Sequence, residues 1–456
     1  MRSLSDPRFQ VRGAVLLAVL LAAGAVGAQV LDEVNAGVQF NFTPPGARSL
    51  AMGGAFIGLA DDATAAYANP AGLTILRSPE VGLEVRYTSY THVYTDSGHG
   101  DGPSTGFGMD TVDGVVFGKA ENSLISPSFL SYVYTGDGWA LAAYRHQIVD
   151  FEADFKTQGA FAGSLDDGTL GRLYPVSAAL DLETVNYGFS FALDVTDHIS
   201  IGIGASYYDF SVDGVTDRYY FPTTTSDFFL PVPFTPSNLF SSQIQKGSDN
   251  DVSFGLGVLI RPTDKFWIGA VYHDGPDFTF TYSGVCGPAD PATCAGGYGG
   301  SDTFASKGTF SLPTEYGLGI AYKPTDAFTL AVDWNRVEYS TLTDRFTGIP
   351  GLMGAFDDFS VSDGDEFHLG IEYLILTIQS PVALRAGAWL DPAHQIGYSG
   401  DLLFLRTLWA PAAAASDEWH YTFGLGVTFS GKYQVDFAVD LSDRVDTMSL
   451  SGVYRF

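Results

Sequence analysis

Cationic side chains are scarce. Lys and Arg number 23 against 52 Asp and Glu, a formal net charge of −29. The basic footprint that nucleic-acid binding needs is missing, and that class is excluded. Charged residues of both signs together make up only 16 % of the chain, against roughly 25 % in soluble domains. What acid there is gathers in stretches such as Asp166-Asp167 and Asp357-Asp358, where it keeps a wet surface soluble. Beyond the N-terminal stretch no apolar run reaches the roughly 18 residues of a transmembrane helix. Enzyme signatures are lacking too: there is no G-x-S-x-G elbow, no H-E-x-x-H pair and no G-x-G-x-x-G loop before a helix. No catalytic residue and no cofactor is expected. Cysteine occurs twice, as Cys286 and Cys294 in CGPADPATC. In a secreted chain that pair most simply forms one disulfide closing a small loop. The alternative is a two-cysteine metal site, which has no histidine between or beside the pair to complete it, so no metal is expected.

What is abundant is glycine, 53 of 456 residues, and aromatics at 14 %. The chain opens with Arg2, Arg8 and Arg12, an apolar run from Gly13 to Val26 and the small-residue site Val26-Gly27-Ala28. That run is too short to span a bilayer, so residues 1–28 are expected to be a secretory signal peptide.

From about Pro79 onward the pattern has period two. Val81, Leu83, Val85 and Tyr87 share one face and Glu84 and Arg86 the other. Tyr187, Phe189, Phe191 and Leu193 oppose Asn186, Gly188 and Ser190. Trp419, Tyr421, Phe423, Leu425 and Val427 oppose His420, Thr422, Gly424 and Gly426. Fourteen such segments are predicted between residues 80 and 456. They are joined alternately by tight turns, such as Gly136-Asp137, Thr196-Asp197 and Thr325-Asp326, and by long loops. Short turns on one side and long loops on the other, with an even strand count, describe an outer-membrane antiparallel β-barrel. Closure leaves no unpaired edge in lipid.

The glycines follow the same frame. Phe254-Gly-Leu-Gly-Val258, Tyr316-Gly-Leu-Gly-Ile320 and Phe423-Gly-Leu-Gly-Val427 would point their large residues at lipid and their glycines at the lumen. Glycine there costs strand propensity but leaves room inside. Trp139, Phe266, Phe328 and Tyr433 fall just after tight turns, and Tyr272, Trp419 and Tyr421 near long loops, as two interfacial girdles require. His368 and Glu372 share the lumen face of one segment, but four residues along a strand separate them by about 13 Å. They are read as lumen polarity, not as an acid–base pair. The acidic stretch around Asp357-Asp358 and Asp363-Gly-Asp365-Glu366 lacks EF-hand spacing and is read as a solvated loop.

Residues 29–79 do not look like strands. Gly46 to Leu73, GARSLAMGGAFIGLADDATAAYANPAGL, is rich in small residues. Helical composition over Ala47–Leu59 is interrupted at Gly53-Gly54; Asp61 is expected to cap a turn through Tyr67, which Asn69-Pro70 would stop. Such a segment buries too little on its own to offset its ordering entropy; inside a barrel it needs only close contacts. It resembles the N-terminal hatch of the outer-membrane family that transports long-chain fatty acids and aromatic hydrocarbons (FadL-like), with Asn69, Pro70, Ala71 and Gly72 matching that family's NPA motif. Ser451-Gly-Val-Tyr-Arg-Phe456 is similar to the terminal strand signal read by the barrel-assembly machinery. The resemblance implies residues 29–79 as a hatch and 80–456 as a fourteen-stranded transmembrane barrel embedded in outer-membrane lipid. It also implies passive uptake of a hydrophobic small molecule by loop capture, hatch movement and lateral exit beside a kinked third strand. The pattern break at Arg145-His146-Gln147-Ile148 is compatible with that kink. Phe228, Phe229, Leu230, Phe234, Leu239 and Phe240 are strongly apolar for a surface loop, and would either capture ligand or pack against loop 277–308 as a lid. The hatch also resembles PorV-like barrels, which dock a protein partner in secretion or surface attachment. A water-filled porin is disfavoured by the hatch and the lumen glycines.

Overall fold

The computed structural model describes Val38 and residues 42–166, 168–222, 226–343, 358–376 and 380–456. The expected signal peptide, most of residues 29–41, Asp167, Asp357 and the turn residue Gln379 lie outside these.

Fourteen strands carry the architecture: β1 (Glu80–His99), β2 (Gly114–Thr135), β3 (Trp139–Thr157), β4 (Val176–Thr196), β5 (Ile199–Tyr219), β6 (Leu239–Thr263), β7 (Phe266–His273), β8 (Glu315–Thr325), β9 (Phe328–Val337), β10 (Gly364–Ile375), β11 (Val382–Asp391), β12 (Glu418–Phe429), β13 (Tyr433–Leu441) and β14 (Val445–Arg455). Each pairs antiparallel with the next. β14 returns to β1 with Glu80 opposite Arg455 and Tyr90 opposite Val445, which closes the barrel. The predicted alternation sets the faces: Phe189, Phe423 and Phe437 point outward, while Ser190, Thr422 and Asp436 are buried inward.

On the long-loop side the strands run further than their polarity suggested. β6 begins at Leu239, nine residues ahead of the segment expected from about Ser248, and so takes in residues 239–247, whose sequence reads as loop. Pairing there continues outside the lipid, where neither face needs to be apolar. A hairpin of Asp277–Cys286 and Thr303–Ser311, also expected as loop, extends β7 and β8 and stacks Phe278 and Phe310 on Phe210 at 4.8 and 5.3 Å. The expected disulfide joins Cys286 to Cys294, Cα–Cα 5.7 Å, across a short helix beyond this hairpin.

β3 carries the break that the sequence suggested. Its inward set runs Ala140, Ala142, Tyr144, His146, Ile148, then shifts phase to Val149, Phe151, Ala153 and Phe155. The shift is a β-bulge between Gln147 and Val149 in the β3–β4 register. On the other side, β3 pairs with β2 only over Ala140–His146. Pro127 sits in β2 just past that ladder and has no N–H to continue it; its carbonyl accepts from Arg145 instead. Beyond this point β2 and β3 separate, and side chains replace the ladder. Asn122 Nδ2 donates to Glu152 O at 2.8 Å, and Tyr90 Oη donates to the same carbonyl at 2.6 Å.

Candidate functional site

Residues 42–76 lie within the ring of strands, almost wholly buried. Helix α1 (Ala47–Ala51) ends before Gly53 and Gly54, whose φ angles of 64° and 75° favour glycine. Helix α2 (Ala65–Ala68) ends at Asn69, in extended conformation, and a 3-10 turn follows over Pro70–Ile75. The expected Asp61 cap is corrected: Asp62 Oδ1 accepts from Thr64 N at 2.9 Å to start the turn. Asp61 turns away because two cations claim it, Arg48 at 2.5 Å and Lys323 of β8 at 2.9 Å.

The lumen glycines are where this segment meets the wall. A side chain at Gly202 would strike Pro70 and Ala71; at Gly257, Asn69 and Pro70; at Gly319, Gly58; at Gly370, Met52; and at Gly424, Ala51. Of the repeated glycine pairs, Gly257, Gly317, Gly319 and Gly424 meet the segment, while Gly255 and Gly426 face the side chains of His273 and of Asp436 with Arg385.

Polar contacts fix the register. Asn69 Nδ2 donates to Ile57 O at 2.9 Å and Val258 O of β6 at 3.2 Å, while its Oδ1 accepts from Ala71 N at 3.2 Å. Pro70 takes the first position of the 3-10 turn, where a missing N–H costs nothing. Gly72 lies against Ala60, with no room for a Cβ. So the four motif residues tie the two halves of the segment to each other and to the wall. Arg48 also reaches Glu372 of β10 at 3.1 Å, and Arg385 of β11 bridges Glu372 and Asp436, each at 2.7 Å. Asp333 accepts from Ile57 N at 2.7 Å, and His368 Nδ1 lies 2.7 Å from Gly53 O. His368 and Glu372 therefore both hold this segment, which agrees with lumen polarity. Arg48, Lys323, Arg385 and Asp333 escaped sequence reading. For the three strand residues inward parity was visible, but not that Lys323 would meet Asp61, Asp333 Ile57 and Glu372 Arg48, pairs 262, 276 and 324 positions apart.

The loop aromatics are placed differently from an open capture patch. Phe228, Phe229 and Phe240 are buried, Phe234 and Leu239 half-buried, and only Leu230 is widely exposed, at 48 %. Phe228, Phe229 and Phe240 pack chiefly against loop 158–175, Phe234 meets Tyr219 at 4.9 Å, and Leu239 touches 277–308, its carbonyl accepting from Ala289 N at 3.1 Å. Phe161 meets Phe228 and Phe229 at 5.8 and 5.6 Å, and Tyr174 stacks on Phe240 at 4.8 Å. Phe240 does touch the other loop, accepting from Gly287 N at 2.7 Å. Arg172 sits at the centre. Its guanidinium donates to Phe228 O at 3.0 Å, Leu230 O at 2.8 Å and Gln158 O at 2.9 Å, between the rings of Phe161 and Phe221. Burial lowers its pKa to about 10.

Beside the β2–β3 gap lies a cavity of about 90 Å³ reaching from Leu124 and Ile148 across to Trp389 and His420. A closed fourteen-stranded barrel with aliphatic and aromatic residues outside and a polar lumen defines an outer-membrane β-barrel. Residues 33–442 match the family of outer membrane protein transport proteins (OMPP1/FadL/TodX), and the chain belongs to that family. Its fold is similar to a Pseudomonas aeruginosa FadL homologue (16 % identity, TM-score 0.62, 92 % of this chain and 99 % of that one). It is also similar to the Ralstonia pickettii toluene transporter TbuX (17 %, TM-score 0.55, 91 % and 99 %) and the P. putida toluene transporter TodX (14 %, TM-score 0.54, 91 % and 99 %). No curated protein matches at the level of sequence. The family transports hydrophobic compounds across the outer membrane, and this barrel is placed there.

Proposed function

We propose that this protein takes up hydrophobic small molecules passively, with residues 29–79 as a hatch whose movement opens a path to a lateral exit between β2 and β3. The observation that carries the reading is the bulge at Gln147–Val149, where the β2–β3 ladder stops beside a lumen cavity. An interrupted ladder in a membrane wall costs backbone hydrogen bonds, and here side chains make up the loss. Asn69, Pro70, Ala71 and Gly72 shape the hatch turn. Phe228, Phe229, Leu230, Phe234, Leu239 and Phe240 form the outer entry, as the apolar underside of a loop lid with Leu230 outermost. Burial of these aromatics favours transport over docking of a protein partner, which would need them on the surface. The C-terminal strand is the segment offered to the barrel-assembly machinery.

The test is mass spectrometry of small molecules extracted after mild-detergent purification, paired with probe uptake by cells carrying the protein or Asn69→Ala/Pro70→Ala. A bound apolar compound and altered uptake in the variant are expected. An empty barrel, with uptake equal to cells lacking it, overturns the reading.

A further inference from the structure

The cavity beside the β2–β3 gap carries polar chemistry that a pure hydrocarbon does not use. Tyr90, Leu124, Ile148, Phe151 and Trp389 supply apolar faces. Within the same lining, His420 and Ser128 are 2 % and 3 % exposed. His420 Nε2, Ser128 Oγ and Gln147 Oε1 have no hydrogen-bond partner in the protein. The other ring nitrogen of His420, Nδ1, lies 3.0 Å from Asp440 Oδ1. Asp440 Oδ2 accepts the Trp389 indole N–H at 3.1 Å, and Trp389 stacks on His420 at 3.9 Å. A carboxylate on Nδ1 holds a proton there, so Nε2 is the ring position left for a ligand, accepting from it when the ring is neutral and donating to it when the ring is charged. The cavity thus offers one fixed acceptor, Gln147 Oε1, and two groups that can give or take a hydrogen bond, His420 Nε2 and Ser128 Oγ; a hydroxyl, which both donates and accepts, complements all three.

Charge narrows the class further. Asp150 and Asp391 line the cavity, and Arg86 in the same lining is already paired with Glu84 at 2.8 Å. A carboxylate ligand has no donor and would meet the carboxylate of Asp150, while Asp391 already lies 3.3 Å from His394 Nδ1. We propose that this cavity selects a neutral single-ring amphiphile bearing a hydroxyl, of the phenol class, over the hydrocarbon or the carboxylate of equal size. The proposal rests on the uptake reading above and names the cargo for that path. Sites built to hydrogen-bond a hydroxyl discriminate against analogues lacking it because their buried polar groups are left unpaired.

Equilibrium binding of 4-ethylphenol, ethylbenzene and 4-ethylbenzoate to the full-length protein in mild detergent tests this, with uptake of the same three probes by cells. The phenol is expected to bind about tenfold tighter than either analogue. His420→Phe keeps a ring on Trp389 but removes Nε2, and should cut the phenol-over-hydrocarbon preference about fivefold; Ser128→Ala should cut it about twofold. Equal binding of phenol and hydrocarbon, tighter binding of the carboxylate, or a preference unchanged in both variants overturns the proposal while leaving uptake standing. Neither binding nor uptake of any probe overturns both.

Discussion

Arg48→Met removes a guanidinium from among three carboxylates while keeping most of the side-chain volume. In the native lumen Arg48 lies 2.5 Å from Asp61, 3.4 Å from Asp62 and 3.1 Å from Glu372, and its side chain is only 12 % exposed. Removing one partner of a buried ion pair costs about 3–5 kcal/mol. Lys323 still serves Asp61 and Arg385 still serves Glu372, so the lower figure applies. About 3 kcal/mol is roughly two decades in the ratio of seated to unseated hatch. Deuterium exchange read peptide by peptide should show faster labelling over 47–76 with barrel strands unchanged, and planar bilayers should show more frequent openings. The pH dependence follows from Asp61. Burial opposes its ionisation, but Arg48 and Lys323 outweigh burial and hold its carboxyl well below the ordinary range. A depressed carboxylate stabilises fully above its unfolded value near ~4 and loses that contribution only as pH falls through the lower folded value. The contribution of Asp61 to seating should be flat from about pH 8 to 5, and in Arg48→Met that contribution should become acid-sensitive at higher pH than in the native chain. Unchanged exchange over 47–76 in a folded variant would refute the reasoning.

Deleting Ile148 should restore single-phase alternation in β3 and let the β2–β3 ladder extend; uptake of a hydrophobic probe should fall at least severalfold in a barrel that still shifts on heating in gels. Arg172→Leu strips the donors from the carbonyls of Gln158, Phe228 and Leu230, and limited proteolysis should cut within 158–175 or 226–238 where the native loops resist. Replacing Cys286 and Cys294 by Ser opens a loop of sequence separation 8. On loop-entropy grounds this costs about 2–3 kcal/mol locally, so protease sensitivity should rise across 277–303 with barrel melting unchanged.

Much of the barrel was legible because lipid and lumen impose a strict two-residue period. Phe189 against Ser190 and Phe423 against Thr422 could hardly be placed otherwise. Tight turns such as Thr325-Asp326 fixed the strand count for the same reason. Where lipid stops, the rule stops: the stretch 241–247 is strand beyond the lipid-facing part, and period two no longer separates it from loop. The alternation of Phe278, Phe280 and Tyr282 was the available sign of the extra hairpin. The lumen glycines announced a close neighbour but not which residue would fill each gap. Charge pairing inside the lumen was illegible, since Arg48 meets Glu372 through closure of the whole ring, not through local spacing. The loop aromatics were recognised as unusual, yet burial among Phe161, Arg172 and Tyr174 depends on loop paths that no periodicity encodes.

Movement of the hatch is the centre of this account, and a reversible cross-link tests it directly. A Cβ built on Gly82 of β1 would lie 3.3 Å from the Cβ of Ala63, close to the ~3.5–4.5 Å of disulfides. Gly82→Cys with Ala63→Cys, in a chain with Cys286 and Cys294 replaced by Ser, can be oxidised and reduced in the same cells. Hydrophobic-probe uptake should stop on oxidation and return on reduction. Uptake that continues at the native rate through a fully cross-linked protein would contradict a moving hatch.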